Sequence, residues 1–226
     1  MLEEARTGFD THLSALMDGD EGLGIIGGEE RRKTIVKLEE IETYWGVIAE
    51  SVDALMVSAA NEDAVGVIKD QNLALLEMTS ILVSEVEGQY ADPAELMQSD
   101  VMTLEIAGRQ AMMTQKIAKN ACKLWSGRDS AEIHDNLENA VNIYELSLNA
   151  LLNGMPEAGL MAAPNEEIAD ILVEVIADWA EIRPVVDGIM AGSTTEEDLA
   201  SLFLHMADEM HKLEDLTHKY VEFSKR

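Results

Sequence analysis

Apolar residues along this chain recur at spacings of three and four, in long stretches divided by short Gly, Pro and Asn/Asp/Ser signals, which is the pattern of amphipathic helices. The first helix is predicted over residues 2–18 and stops at Gly19. Residues 20–28, with Gly22, Gly24, Gly27 and Gly28, read as a loop. A helical stretch follows from Glu29 to about Val57, and another from the N-cap Asn61 to about Gln89. Asp92-Pro93 restarts a helix by the cap-then-proline rule, and that helix runs to Trp125 and Gly127. Asp129 or Ser130 caps the next, which ends at Asn153-Gly154. Pro156 and Pro164 bracket a loop. A helix from Asn165 to Met190 contains Pro184, a position that allows a kink. Thr194 or Thr195, with Glu197 and Asp198 behind it, opens the last helix, to about Phe223. No window alternates with period two over a useful length, so the predicted fold is all-α.

The helices repeat. A shift of 135 sets Leu2–Gly19 on Leu137–Gly154, with identities at Leu2/Leu137, Leu13/Leu148, Leu16/Leu151 and Gly19/Gly154, and Phe9 opposite Tyr144. A shift of 134 sets Leu38–Met56 on Leu172–Met190, matching Trp45/Trp179, Ile48/Ile182, Asp53/Asp187 and Met56/Met190. Chance rarely aligns Trp with Trp and a helix-ending Gly with another at nearly one offset, so a duplicated unit is expected. The predicted architecture is two related up-down bundles of the four-helix type. Residues 1–91 form the first, and residues 92–226 the second. The helix that opens the second has its counterpart before residue 1, so the first bundle is expected to lack its N-terminal helix.

Composition narrows the function. The chain has 226 residues, 44 Asp and Glu against 16 Lys and Arg, and a formal charge of −28. Such a surface repels phosphate backbones, so nucleic acid is excluded as a partner. It reads as solubility in a salty medium or as a cation-binding surface. No apolar run reaches the length of a membrane span, and Met1 is followed at once by Glu3 and Glu4, unlike a secretory signal. The chain therefore reads as cytosolic or as a mature or excised fragment. One cysteine, Cys122, allows no intrachain disulfide and no zinc site built on several cysteines.

Against this acidity, residues 106–128 contain no Asp or Glu and five cations, Arg109, Lys116, Lys119, Lys123 and Arg128. A positive island in a negative protein is where a small anion could be held. The helix around it, residues 104–127, carries two apolar lines. One is Val101, Leu104, Gly108, Ala111, Gln115, Ala118, Cys122, Trp125; the other is Met102, Ile106, Met113, Ile117, Ala121, Leu124. Two lines suit a helix that packs in its own bundle on one side and against another subunit on the other. Filling of a bundle core explains the same spacing.

The stretch Ile106-Ala107-Gly108-Arg109-Gln110-Ala111-Met112-Met113-Thr114-Gln115-Lys116-Ile117-Ala118-Lys119 resembles the signature of PilJ-type sensor domains, the N-terminal domains of type IV pili methyl-accepting chemotaxis transducers. These are related to the P-box of nitrate/nitrite sensor kinases. The second repeat is similar to one whole domain, and the first to the same domain without its signature helix. The resemblance implies an extracytoplasmic, periplasmic four-helix bundle that signals through a membrane receptor or other partner. It implies a homodimer in which signature helices share a small anion, nitrate or nitrite, and a ligand site at Ala107, Gly108, Arg109, Gln110, Met112 and Gln115. Two positions depart from the family pattern: Ala111 stands where a second Arg is usual, and Glu105 where an Asn is usual.

Other chemistries find less. A di-iron carboxylate bundle needs Glu-x-x-His motifs on two helices. His205, Asp208, His211, Glu214 and His218 share one predicted helix, and neither His12 nor His134 has a Glu three residues before it. Glu39, Glu40 and Glu42 read as a wet helix face, and Trp45 and Trp179 as packing. The Gly22–Gly28 loop lacks the Lys of a phosphate loop. No catalytic constellation, metal or cofactor is predicted. The competing expectation to a sensor is a non-catalytic structural or interaction bundle with no small ligand.

Overall fold

The computed structural model describes residues 2–90, 98–127 and 130–224. Among these there are seven α-helices, two single 3-10 turns and no strand. The chain divides into two compact units, residues 1–92 and 93–226.

The first unit contains α1 (Leu2–Asp18), α2 (Arg32–Val57) and α3 (Glu62–Tyr90). Leu13, Leu38, Ile41 and Leu82 form one buried cluster, and Trp45, Ile48, Ala49 and Val52 another; Phe9 and Leu75 pack against both. The second unit contains α4 (Gln98–Trp125), α5 (Ala131–Asn153), α6 (Glu166–Met190) and α7 (Glu196–Ser224). Here α4 lies against α5 and α7, with a smaller contact to α6. One core runs through all four helices, with Ile117, Tyr144, Leu172, Leu202 and Leu213 fully buried.

Capping explains most of the boundaries. The Asn61 side chain accepts from Ala64 N at 3.1 Å, Ser130 from Ile133 N at 3.2 Å, and Asn165 from Ile168 N at 2.9 Å. Thr195 and Asp198 form a reciprocal box at the start of α7. The helix expected from Glu29 instead begins at Arg32. Glu29 N donates to Met17 O at 3.0 Å and the Glu29 carboxylate accepts from Arg31 N, so the chain stays extended there. Pro184 lies inside α6, which continues through it to Met190. The expected helix start at Pro93 lies outside the described residues, as do Arg128 and Asp129.

The two units share local geometry at corresponding positions. After α1, a bridge pairs Asp20 with Ile25 around the 3-10 turn Glu21–Leu23; after α5, Met155 pairs with Leu160 around Pro156–Ala158. Gly19 and Gly154 have φ of 85° and 79°, and a Cβ on either would sit within 2.9 Å of backbone atoms. Six residues separate Ile25 from Arg32 and five separate Leu160 from Glu166. That single residue is why the sequence offset falls from 135 to 134.

Side-chain pairs recur too. Trp45 Nε1 donates to Asp10 Oδ1 at 2.6 Å, and Trp179 Nε1 to Glu145 Oε1 at 2.9 Å. In the first unit Arg6, on α1, bridges Asp10 and Asp53. In the second, Arg183, on α6, bridges Glu145 and Asp187, so the same acid pair is joined by an arginine from the other helix. Lys33–Glu85 at 2.7 Å and Glu167–Lys219 at 3.0 Å are one ion pair with its polarity reversed. Both residues of the second pair lie 134 positions after those of the first, the offset read from the sequence.

Candidate functional site

Helix α4 presents its core face and its outer face on opposite sides. Thr103, Ala107, Gln110, Met113, Thr114, Ile117, Ala118, Ala121 and Leu124 are buried. Turning about 100° per residue, the remaining arc carries Gly108, Arg109, Met112 and Gln115, all exposed. Lys116, Lys119 and Lys123 are half-buried along one edge of it. Of the two apolar lines read from the sequence, the second supplies buried Met113, Ile117, Ala121 and Leu124. The first splits: Ala118 is buried, while Gly108, Gln115 and Trp125 are exposed.

The six ligand residues expected from the sequence therefore divide. Gly108, Arg109, Met112 and Gln115 share the outer arc. Ala107 and Gln110 face the bundle interior, at 0% and 1% exposure. Gln110 Nε2 donates to Ile106 O at 2.7 Å and its Oε1 is buried with no hydrogen-bond partner. The signature over residues 106–119 lists its positions without saying which way each points; the helical turn decides that, and Gln110 falls about 200° from Gly108.

Cations gather along this stretch of α4. Arg109 reaches solvent, and its Nη2 lies 2.5 Å from Glu105 Oε1. Burial holds the Lys119 ammonium below its ordinary range, and repulsion from Lys123 and Lys116 adds to the effect. Like-charge crowding of this kind is relieved when an anion arrives. The Glu105–Arg109 pair is an exposed i,i+4 contact of the sort worth about 0–1 kcal/mol, so it is readily exchanged. Gln115 Nε2 points to Met210 Sδ at 3.4 Å, and Gly108 lies 4.0 Å, measured from an added Cβ, from the Thr217 methyl. The arc thus borders α7.

A buried polar pair lies inside the unit and is easily missed in the sequence. Tyr144, fully buried, donates its hydroxyl to Glu209 Oε2 at 2.9 Å. Glu209 is 1% exposed and its Oε1 has no partner. Burial pushes this carboxyl up to about 7; the Tyr144 hydroxyl opposes the shift, Asp178 adds to it, and Lys212 opposes it. Lys212 is itself raised by its contacts with Asp178 and Glu174. The signal was present: Leu202, Met206, Glu209, Leu213, Leu216 and Tyr220 step by four and three, an apolar seam with one acid in it. The positions 135 before Tyr144 and 134 before Glu209 are the apolar Phe9 and Leu75, both packed on the core of the first unit.

His211 Nδ1 lies 3.5 Å from Glu214, and among the described residues no three His, Cys, Asp or Glu side chains are grouped to hold a metal. Glu39, Glu40 and Glu42 are exposed. Trp45 stacks on Phe9 with ring centroids 4.1 Å apart, and Trp179 meets Tyr144 edge-on at 5.1 Å.

No curated protein matches the chain. One solved structure that it resembles is the ligand-binding domain of the P. aeruginosa nitrate receptor McpN. The likeness is at 25% identity over 51% of this chain and 90% of that domain, with a TM-score of 0.46. Residues 96–202 match the family model PilJ, the N-terminal region of type IV pili methyl-accepting chemotaxis transducers. The match takes in all of α4, α5 and α6 together with the start of α7, and over this stretch the second unit is similar to PilJ-type sensor domains.

Proposed function

We propose that this chain is an extracytoplasmic small-ligand sensor whose second unit binds nitrate or nitrite on the outer arc of α4. The observation that carries the reading is the position of Arg109: exposed, on the one acid-free basic stretch, with half-buried Lys116 two turns further along the same helix. A guanidinium offers two parallel N–H donors to a planar oxyanion, and Glu105 yields its place when the anion enters. Two copies meeting through Gly108, Met112 and Gln115 would bring two Arg109 forks to one anion. The small side chains at 108 and 111 permit that approach. A change in the packing of α4 on α7 then carries the signal to a membrane receptor or other partner. The first unit is, in this proposal, a duplicated bundle without a signature helix; the shared loop geometry and the reversed Lys33–Glu85 and Glu167–Lys219 pairs support it. Among the described residues no helix is long and apolar enough to cross a membrane.

Isothermal titration with nitrate and nitrite tests the site. Arg109→Ala is expected to weaken binding at least tenfold and Glu105→Gln to tighten it severalfold. Unchanged affinity in Arg109→Ala overturns the assignment. Sedimentation with and without anion tests the dimer, which should strengthen with ligand and weaken in Met112→Glu.

A further inference from the structure

We infer that the first unit holds a binding pocket for a small neutral hydroxylated aromatic molecule, about the size of p-cresol, beside its Gly-rich loop. A cavity of about 360 Å³ opens there, lined by Leu16, Ile25, Ile26, Thr34, Leu38 and Val86 and by the Gly24–Gly28 backbone. That volume lies within the range of small-molecule pockets and exceeds that of apolar cavities able to hold a benzene ring.

The second unit shows what the same place looks like when filled. Leu151, Leu160, Ile168 and Leu172 are buried there, as is Tyr220 at 4% exposure. The register set by Lys33–Glu85 and Glu167–Lys219 puts Val86 where Tyr220 stands and Thr34 where Ile168 stands. The phenol ring is therefore missing from the first unit, and the cavity marks its absence.

Polar groups left behind specify the ligand. Tyr220 donates its hydroxyl to Leu151 O, at 3.4 Å. This carbonyl needs an outside donor, because Met155 N, which would continue the helical ladder to it, turns to Leu160 O. Leu16 O stands in the same position: Asp20 N turns away to Ile25 O at 2.8 Å, and Val86 has no hydroxyl to offer. Thr34 is 1% exposed and its hydroxyl donates to Gln89 Oε1 at 3.2 Å, so this hydroxyl lies behind the wall of the cavity and offers it no acceptor. The pocket thus combines apolar walls with one acceptor, Leu16 O, and suits a ligand that brings a ring and one donor. Glu29 at its rim disfavours aromatic carboxylates. The choice of p-cresol, the tyrosine side chain itself, rests on the duplication proposed above; the cavity does not.

Titration of the full chain with p-cresol, toluene and 4-hydroxybenzoate, followed by calorimetry and by methyl NMR shifts of Ile25 and Val86, tests the pocket. Binding of p-cresol should be at least tenfold tighter than that of toluene, with 4-hydroxybenzoate weaker still. Val86→Tyr, which restores the missing ring, should abolish binding. Leu16→Phe, which narrows the cavity from its wall, should weaken it at least tenfold, and it serves as the second variant if Val86→Tyr does not fold. Arg109→Ala should leave p-cresol binding unchanged, which separates this site from the anion site. Absence of p-cresol binding, toluene binding as tightly, or undiminished binding in the cavity variants overturns the inference.

Discussion

Replacing Glu209 by Gln should make the second unit more stable at neutral pH, and the gain should vanish in mild acid. Glu209 is buried beside Tyr144, with one carboxyl oxygen unpartnered, and its pKa is pushed up to about 7 from an ordinary 4.5. The folded state therefore holds a proton that the unfolded chain has already released between those two values. Stability conferred by the neutral carboxyl is fully present below about pH 4.5 and is lost as pH rises through 7. At 1.36 kcal/mol per pKa unit, a shift of roughly two units or more corresponds to about 3 kcal/mol. Gln keeps an acceptor for the Tyr144 hydroxyl but does not titrate. Urea unfolding of wild type and Glu209→Gln at pH 4.5, 5.5, 6.5 and 7.5 reads the difference directly, since repulsion among the other acids cancels between them. The difference should grow by about 2–3 kcal/mol across this range and level off above pH 7. A difference that stays flat with pH would refute the buried-carboxyl argument.

Gln110→Leu removes a buried acceptor that nothing satisfies and should stabilise the unit by about 1–2 kcal/mol in the same assay; destabilisation would mean that Oε1 is satisfied. Gly154→Ala forces a Cβ to within 2.9 Å of Ala162 N at a positive φ and should cost about 1–3 kcal/mol. Gly8→Ala, mid-helix with open space around it, should instead gain about 0.5–1 kcal/mol; equal effects would contradict the assignment of Gly154 to the loop. Leu172→Ala, at 0% exposure, should cost about 2–5 kcal/mol by thermal unfolding, well above Leu73→Ala at 61%.

Much of the fold was legible because its signals are local. Asn61, Ser130, Asn165 and Thr195 announce helix starts in the residue types themselves, and Gly19 and Gly154 mark ends that only glycine accommodates. Helix identity and the recurrence of Trp45 at Trp179 needed no tertiary information. The start of α2 was misplaced because Glu29 is held by Met17 O, a partner twelve residues away on the other side of a loop. In the candidate site, the acid-free run of cations was plain, but the facing of each side chain was not. Gln110 and Gln115 look alike in a motif, yet one is 1% exposed and the other lies on the surface. Glu209 escaped notice because its meaning depends on Tyr144, 65 residues earlier, and on the burial of both.

The contrast between units bears on why the second keeps such groups at all. Offsets of 135 and 134 lead from Tyr144 and Glu209 to Phe9 and Leu75, two apolar residues packed on the core of the first unit. A buried polar pair with an orphan oxygen is the less stable choice, by a margin of about 1–3 kcal/mol per unsatisfied group. Both orphan atoms, Gln110 Oε1 and Glu209 Oε1, belong to α4 and α7, the two helices that pack against each other beside the exposed arc. The α5 and α6 helices carry no such orphan among the described residues. The imperfect satisfaction is thus confined to the two helices whose mutual packing a ligand on α4 would alter. A seam held less tightly than the rest of the core is one in which a modest binding energy can move an equilibrium, since a ligand shifts a population only by its differential affinity for the two arrangements.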